Sequence, residues 1–174
     1  MTLFNRVWAM PDRNTFNIKP INRLIYKYIK PNVVSIDPFA NINRIASITN
    51  DIDPNVGAKY NMDALEFLKM FDSESIDFVL YDPPYSPRQV SEVYKRHGRT
   101  VNMETTQASF WGNIKKEIAR ITKPGGIVMS FGWNTNGIGK TKGFEIVEIL
   151  IVPHGGQHND TLCTVETKKL TLFD

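Results

Sequence analysis

Three aspartates in this chain share one setting. Asp37 follows the apolar run 33–36, Asp51 comes just past the run 45–49, and Asp82 follows the run 76–81. Runs of this length suit central strands of a parallel sheet, buried on both faces. The C-terminal ends of such strands gather along one edge, and ligands bind in the crevice there. A single carboxylate at a strand end is accounted for by capping of the next helix or turn. Three together exceed what capping requires.

The sharpest chemistry sits at Asp82-Pro83-Pro84-Tyr85. Two successive prolines fix φ twice and remove two backbone N–H donors. The strand end therefore offers acceptors, the Asp82 carboxylate and the Pro83 carbonyl. That array suits an exocyclic amine, which has two N–H donors, and holding both hydrogens turns the nitrogen lone pair toward an electrophile. Tyr85 adds a flat face on which an extruded base can stack.

The elements that must position these groups are legible in outline. Further strands are expected at 126–131, 144–152 and 161–167, the last two as a closing antiparallel hairpin. Ile21, Leu24, Ile25, Tyr28 and Ile29 share one face of a helix opened by Pro20 and stopped by Pro31. Asp63 with Glu66 forms a capping box for a helix through about Phe71. Trp111, Ile114, Ile118 and Ile121 make a third stripe, closed by Lys123-Pro124-Gly125-Gly126. Alternating strands and helices predict an open α/β sheet, mostly parallel.

In these residues and this order the chain resembles the amino-methyltransferases, whose signature is Asp/Asn-Pro-Pro-Tyr/Phe/Trp and whose cofactor is S-adenosylmethionine. The resemblance spans residues 16–168, and its specificity lies mainly at Asp82 to Tyr85. It implies a Rossmann-like class I methyltransferase sheet and transfer of a methyl group to the N6 amine of adenine in DNA. Asp82, Pro83, Pro84 and Tyr85 would be the catalytic residues. Ser35-Ile36-Asp37-Pro38-Phe39 is similar to the start of the family's cofactor motif, Asp-Pro-Phe-x-Gly-x-Gly, which puts Asp37 near the methionine amino group with Pro38 and Phe39 beside it. Asn50-Asp51-Ile52-Asp53 resembles the acidic end of the second strand and implies ribose contacts from Asp51 or Asp53. Asn61-Met62-Asp63-Ala64 resembles the segment that meets the cofactor adenine, with Asp63 accepting from its amino group and Ala64 adjoining. Helix capping explains Asp63 equally well, and both roles can hold at once.

Two departures stand out. The family's glycines are replaced by Asn41 and Asn43 in Ala40-Asn41-Ile42-Asn43. Asparagine tolerates the left-handed region but cannot give glycine's close approach. Only residues 38–44 separate the first two strands, fewer than the ~10–12 of a usual crossover, so the helix after the first strand is expected to be shortened. This describes a minimal enzyme with a degenerate cofactor loop, its cleft open or completed by a second copy or a partner subunit. It also describes a catalytically silent fold that binds nucleic acid or a protein.

The whole chain, 1–174, reads as one domain without a separate target-recognition domain; its sizeable insertion is the basic loop 86–109. Arg88, Lys95, Arg96 and Arg99 there suit phosphate contacts, which give affinity with little sequence information, so loose or short specificity is expected. RNA remains an alternative to DNA. Lys19, Arg23 and Lys27 line one helix face, better read as solvated than as a nucleic-acid contact. The formal charge of +3 permits a phosphate-bearing partner without demanding one. No apolar stretch approaches the ~20 residues of a membrane span, residues 1–14 lack a signal peptide's apolar run, and Cys163 is the sole cysteine, so a cytoplasmic setting without membrane or disulfide is expected. Gly137-Ile138-Gly139-Lys140-Thr141 is similar to a phosphate loop, but Asn134 stands where that motif needs its first glycine. His154, His158 and Cys163 lack a fourth zinc ligand, and no metal is expected. The segment Gly132-Trp133-Asn134 is better placed to shape the rim of a target pocket.

Overall fold

A computed structural model describes residues 1–84, Glu92, Lys95 and 108–170. Its strands, in chain order, are β1 (Leu3–Arg6), β2 (Ser35–Asp37), β3 (Ile48–Thr49), β4 (Ile76–Tyr81), β5 (Thr122–Gly132), β6 (Phe144–Val152) and β7 (Thr161–Lys168). The α-helices whose bounds fall among the described residues are α1 (Lys19–Tyr28), α2 (Ala64–Lys69) and α3 (Ala108–Ile121). The strands form one sheet in the order β1-β6-β7-β5-β4-β2-β3. β7 lies between β5 and β6 and pairs antiparallel to both, while the other pairings are parallel.

The alternation along β4 shows how the sheet divides its core. Val79 and Tyr81 face one cluster with Ile114, Ile118 and Ile121 of α3 and Phe67 and Leu68 of α2. Phe78 and Leu80 face the other with Ile21, Leu24 and Ile25 of α1. Ile114, Ile118 and Ile121 are wholly buried, each contributing about 1.5–3 kcal/mol of transfer free energy. The apolar face expected of α1 is therefore the face that packs, and Pro20 stands in its first turn.

Several sequence expectations change in detail. β3 is confined to Ile48–Thr49; Asn50 follows it as a single parallel bridge to Tyr60, while its backbone also bonds to the Asp37 carbonyl and the Ala40 amide. β5 begins at Thr122, so Lys123 to Gly126 belong to the strand and do not form a separate helix stop. Gly126 is needed inside it, because a Cβ there would meet the Lys123 carbonyl oxygen at 2.8 Å. β1 was not anticipated. Its side chains are all exposed, so it lacks the apolar burial signal of a strand, and it is held by its ladder to β6. The helix expected to be shortened after β2 is replaced by turns, and Asn41 takes φ 47° in that stretch. Asn43 is not among the residues with positive φ.

Glu148 on β6 ties the N-terminal elements to the sheet. Its side chain is buried and accepts from Lys27 Nζ at 2.5 Å, Tyr28 Oη at 2.6 Å and Asn5 Nδ2 at 2.8 Å. These donors hold the Glu148 carboxyl below the usual range against the opposing effect of burial. Lys27 is thus committed to an ion pair, and of the cationic stripe on α1 only Lys19 and Arg23 remain as solvated charges. No helix among the described residues is long and apolar enough to cross a membrane.

Candidate active site at the sheet edge

β2, β3 and β4 run in parallel, so their C-terminal ends bring Asp37, Asp51 and Asp82 to one edge. The electrostatics register the proximity. Asp37 is 1% exposed, and its carboxyl is pushed well above the ordinary range, first by burial and then by the charges of Asp82 and Asp51. The Phe39 amide, which donates to Asp37 Oδ1 at 3.0 Å, and the Arg44 guanidinium act the other way.

The loop after β2 is closed by its own contacts. Asp51 accepts from the Asn41 amide at 2.7 Å and from the Asp53 amide at 2.9 Å, one on each carboxylate oxygen. Arg44 donates to the carbonyls of Asn41, Asn43 and Val56. Asn50, wholly buried, donates to the carbonyls of Pro38 and Met62 and accepts from the Met62 amide. It fastens the segment of Pro38 and Phe39 to that of Met62, Asp63 and Ala64. Asp53 caps the 3-10 turn Pro54–Val56 through the Asn55 amide. Asp63 caps α2 through the amides of Leu65 and Glu66. The Glu66 carboxylate pairs with Lys69, which is the contact its side chain makes on α2.

At the end of β4, Pro83 and Pro84 line a cleft of about 300 Å³ together with Tyr81, Trp111, Lys115, Ser130, Phe131, Gly132, Trp133, Asn134, Asn136 and Gly137. The sequence singled out Gly132, Trp133 and Asn134 as rim residues, and they line this cleft. Trp111 on α3 donates its indole N–H to the Pro84 carbonyl at 3.1 Å, locking the Pro-Pro turn against the helix. Lys115, one helical turn further on, is half-buried. Burial lowers its affinity for a proton, and Glu166 opposes that shift.

Glu166 on β7 forms the cleft's support. It is wholly buried and accepts from the amides of Ile138 at 2.6 Å and Gly139 at 3.0 Å. Burial raises its carboxyl, and the two amides and Lys115 counter that. The glycines of 137–141 thus serve a carboxylate of this chain, with Gly137 at φ 53° and Gly139 at φ 103°. His154 bonds to the Ala9 carbonyl through Nδ1 and to Thr161 Oγ1 through Nε2, so both ring nitrogens have structural partners. Among the described residues no group of three or more His, Cys, Asp or Glu is arranged to hold a metal ion.

Of the residues singled out in the sequence, Asp37, Pro38, Phe39, Asp51, Asp53, Asp63 and Ala64 are gathered at the loop side of this edge, Pro83 and Pro84 line the cleft, and Asp82 stands between them at the end of β4. Lys95 is helical and exposed. Tyr85, Arg88, Arg96 and Arg99 lie outside the described residues. Sequence reading assigned no role at this edge to Asn50, Trp111, Lys115, Ser130 or Glu166. A polar residue inside an otherwise apolar run was the available signal for Ser130, whereas Glu166 stands in a strand with several polar residues and had none.

No protein-family model matches the chain, and no curated protein matches it. Solved structures do. TrmN from Thermus thermophilus superposes with a TM-score of 0.57 at 16% identity, covering 87% of this chain and 49% of that one. The 1,6-didemethyltoxoflavin-N1-methyltransferase from Burkholderia thailandensis, solved with bound 1,6-didemethyltoxoflavin and S-adenosylhomocysteine, gives 0.58 at 11% identity, with coverages of 87% and 78%. A SAM-dependent methyltransferase from Methanosarcina mazei gives 0.51 at 13% identity, with coverages of 84% and 97%. The chain therefore spans about half the length of the first and most of the other two. The shared feature is the fold, a Rossmann-like methyltransferase sheet.

Proposed function

We propose that this chain is an S-adenosylmethionine-dependent methyltransferase acting on the N6 amine of adenine in DNA, with short or loose sequence preference. The observation that carries the reading is the placement of Pro83 and Pro84 in the lining of a cleft, directly after Asp82, whose charge acts on the buried Asp37 of the same edge. Asp82 and the Pro83 carbonyl would hold the two amine hydrogens and direct the nitrogen lone pair along the edge toward Asp37 and Asp51. Pro84, fixed by Trp111, keeps that acceptor pair from moving, and positioning of this kind supplies much of the rate. Tyr85 is proposed as the stacking face, and Arg88, Lys95, Arg96 and Arg99 as phosphate contacts.

The residues at the edge fit a cationic cofactor. Three carboxylates crowd there, and Asp37 is charged only at a cost that a nearby positive group offsets. S-adenosylmethionine, when bound, supplies an activated methyl group. Asp37, Phe39, Asp51 and Asp63 would hold it, with Pro38, Asp53 and Ala64 shaping the wall. The silent-fold reading is favoured by one observation, that both Asp51 oxygens already bond to loop amides. A carboxylate offers about four acceptor sites, so Asp51 retains capacity for a ribose hydroxyl.

Calorimetry with S-adenosylmethionine separates the two readings, with Asp37→Asn as the variant. Asparagine keeps the acceptor for the Phe39 amide but removes the charge. Cofactor affinity is expected to fall by about tenfold or more, while the cofactor-free variant melts higher than the wild type. The pH dependence follows from the raised carboxyl. The wild type loses stability as pH rises from the ordinary value of 3.8 toward the raised one and is level above it. The melting advantage of Asp37→Asn should therefore grow across that window and then hold. Wild-type protein that binds no cofactor would leave the silent fold standing. Methyl-group incorporation into matched unmethylated DNA and RNA then decides the polymer.

A further inference from the structure

The floor of the cleft carries an unusual row of hydroxyls. Tyr81 on β4 is in register with Ser130 on β5, and Ser130 is in register with Thr164 on β7. Residues paired in this way present their side chains on the same face of a sheet. Tyr81 is 2% exposed, Ser130 9% and Thr164 0%. None of the three hydroxyls has a hydrogen-bond partner among the described residues. Tyr81 and Ser130 line the cleft, and Thr164 continues the row one strand further. A buried tyrosine hydroxyl nearly always finds a partner, and two such exceptions side by side at one cavity, with a third next to them, call for a ligand.

We infer that the Tyr81 and Ser130 hydroxyls are the base-reading floor of the cleft, donating hydrogen bonds to the ring nitrogens of adenine. The inference rests on the amine-methylation reading and deepens it. The end of β4 offers acceptors, and the floor beside it offers hydroxyl donors. A matching ligand carries an amine with ring-nitrogen acceptors close by. Adenine does so on both sides of its amine, at N1 and N7. Cytosine has such an acceptor on one side and a C–H on the other, while guanine places a carbonyl at that corner. The β4–β5 ladder fixes Tyr81 against Ser130, and Asp82 follows Tyr81 directly in the chain, so selection by the two hydroxyls would come from sheet geometry.

The test is an NMR titration with adenosine, 1-deazaadenosine, 7-deazaadenosine, cytidine and guanosine at millimolar concentration, with and without S-adenosylhomocysteine. It uses the wild type, Tyr81→Phe, Ser130→Ala and the double variant. Wild-type protein is expected to bind at least one deaza analogue about tenfold more weakly than adenosine, the size of one well-placed hydrogen bond. That discrimination should vanish in the variant lacking the matching hydroxyl. Cofactor-free Tyr81→Phe and Ser130→Ala should melt at or above the wild-type temperature, because each removes a buried hydroxyl without a protein partner. A purely structural role predicts the reverse, lower melting with discrimination intact. Equal binding of adenosine and both analogues by the wild type overturns the floor, as does discrimination that survives in the double variant, or no wild-type binding of any nucleoside. The two readings fail separately: analogue discrimination without methyl transfer removes the amine reaction, and methyl transfer without discrimination removes the floor.

Discussion

Asp82→Ala is expected to lower methyl transfer to adenine by about a hundredfold to a thousandfold, the range seen when a single preorganised polar contact to a reacting group is lost. The loss should appear in the transfer step, with cofactor binding measured by calorimetry largely retained. Asp82 adds to the repulsion that raises the Asp37 carboxyl, so its removal relieves that edge. Asp82→Asn keeps an acceptor oxygen at the same place and is expected to retain a measurable part of the activity. The ordering wild type, Asn, Ala is the signature of a group that positions an amine by accepting its hydrogen. Transfer by the alanine variant within tenfold of the wild type would remove Asp82 from the reaction.

Gly137→Ala should produce the largest change in stability. A Cβ at Gly137 would lie 2.2 Å from Glu166 Oε2 and 2.4 Å from Cδ, and the residue stands at φ 53°, which side-chain-bearing residues rarely adopt. Glu166 has no inexpensive way to yield. It is wholly buried, and both of its oxygens are held by the Ile138 and Gly139 amides. Moving it leaves a buried carboxylate and two amides poorly paired, a loss of about 2–4 kcal/mol. For a chain of this size that corresponds to a melting temperature lower by roughly 5–15 °C. Gly137 and its neighbours also line the cleft, so transfer should weaken alongside stability. Gly143→Ala is the control, since it shares a positive φ but meets nothing within 4 Å. Equal melting of the two variants would show that backbone strain alone, and not the packing on Glu166, accounts for the effect.

Local pattern made most of the framework legible. β4 and β6 are where their apolar runs end in turn residues, α1 lies on its apolar stripe between Pro20 and Pro31, and Asp63 caps α2. These features are local: side-chain period, proline geometry and capping chemistry act over a few residues, so they can be read without knowing the partners. The same holds for the missing helix after β2, because seven residues cannot build a crossover helix whatever surrounds them.

What depended on the tertiary structure is everything that pairs distant segments. Placing β7 between β5 and β6 brings Glu166 under Gly137 and aligns Thr164, Ser130 and Tyr81 in one row, although they come from three separate strands. Trp111 reaches Pro84 across 27 residues, and Glu148 gathers donors from β1 and α1 more than a hundred residues away. The extra strand β1 forms because β6 offers it an open edge, a cause outside its own sequence. Residue types and their spacing were enough to single out Asp37, Asp51, Asp82 and the two prolines as the candidate centre, on one sheet edge. Strand register, which depends on long-range pairing and carries no local signature, alone decided the cleft, its hydroxyl floor and the carboxylate that supports its rim.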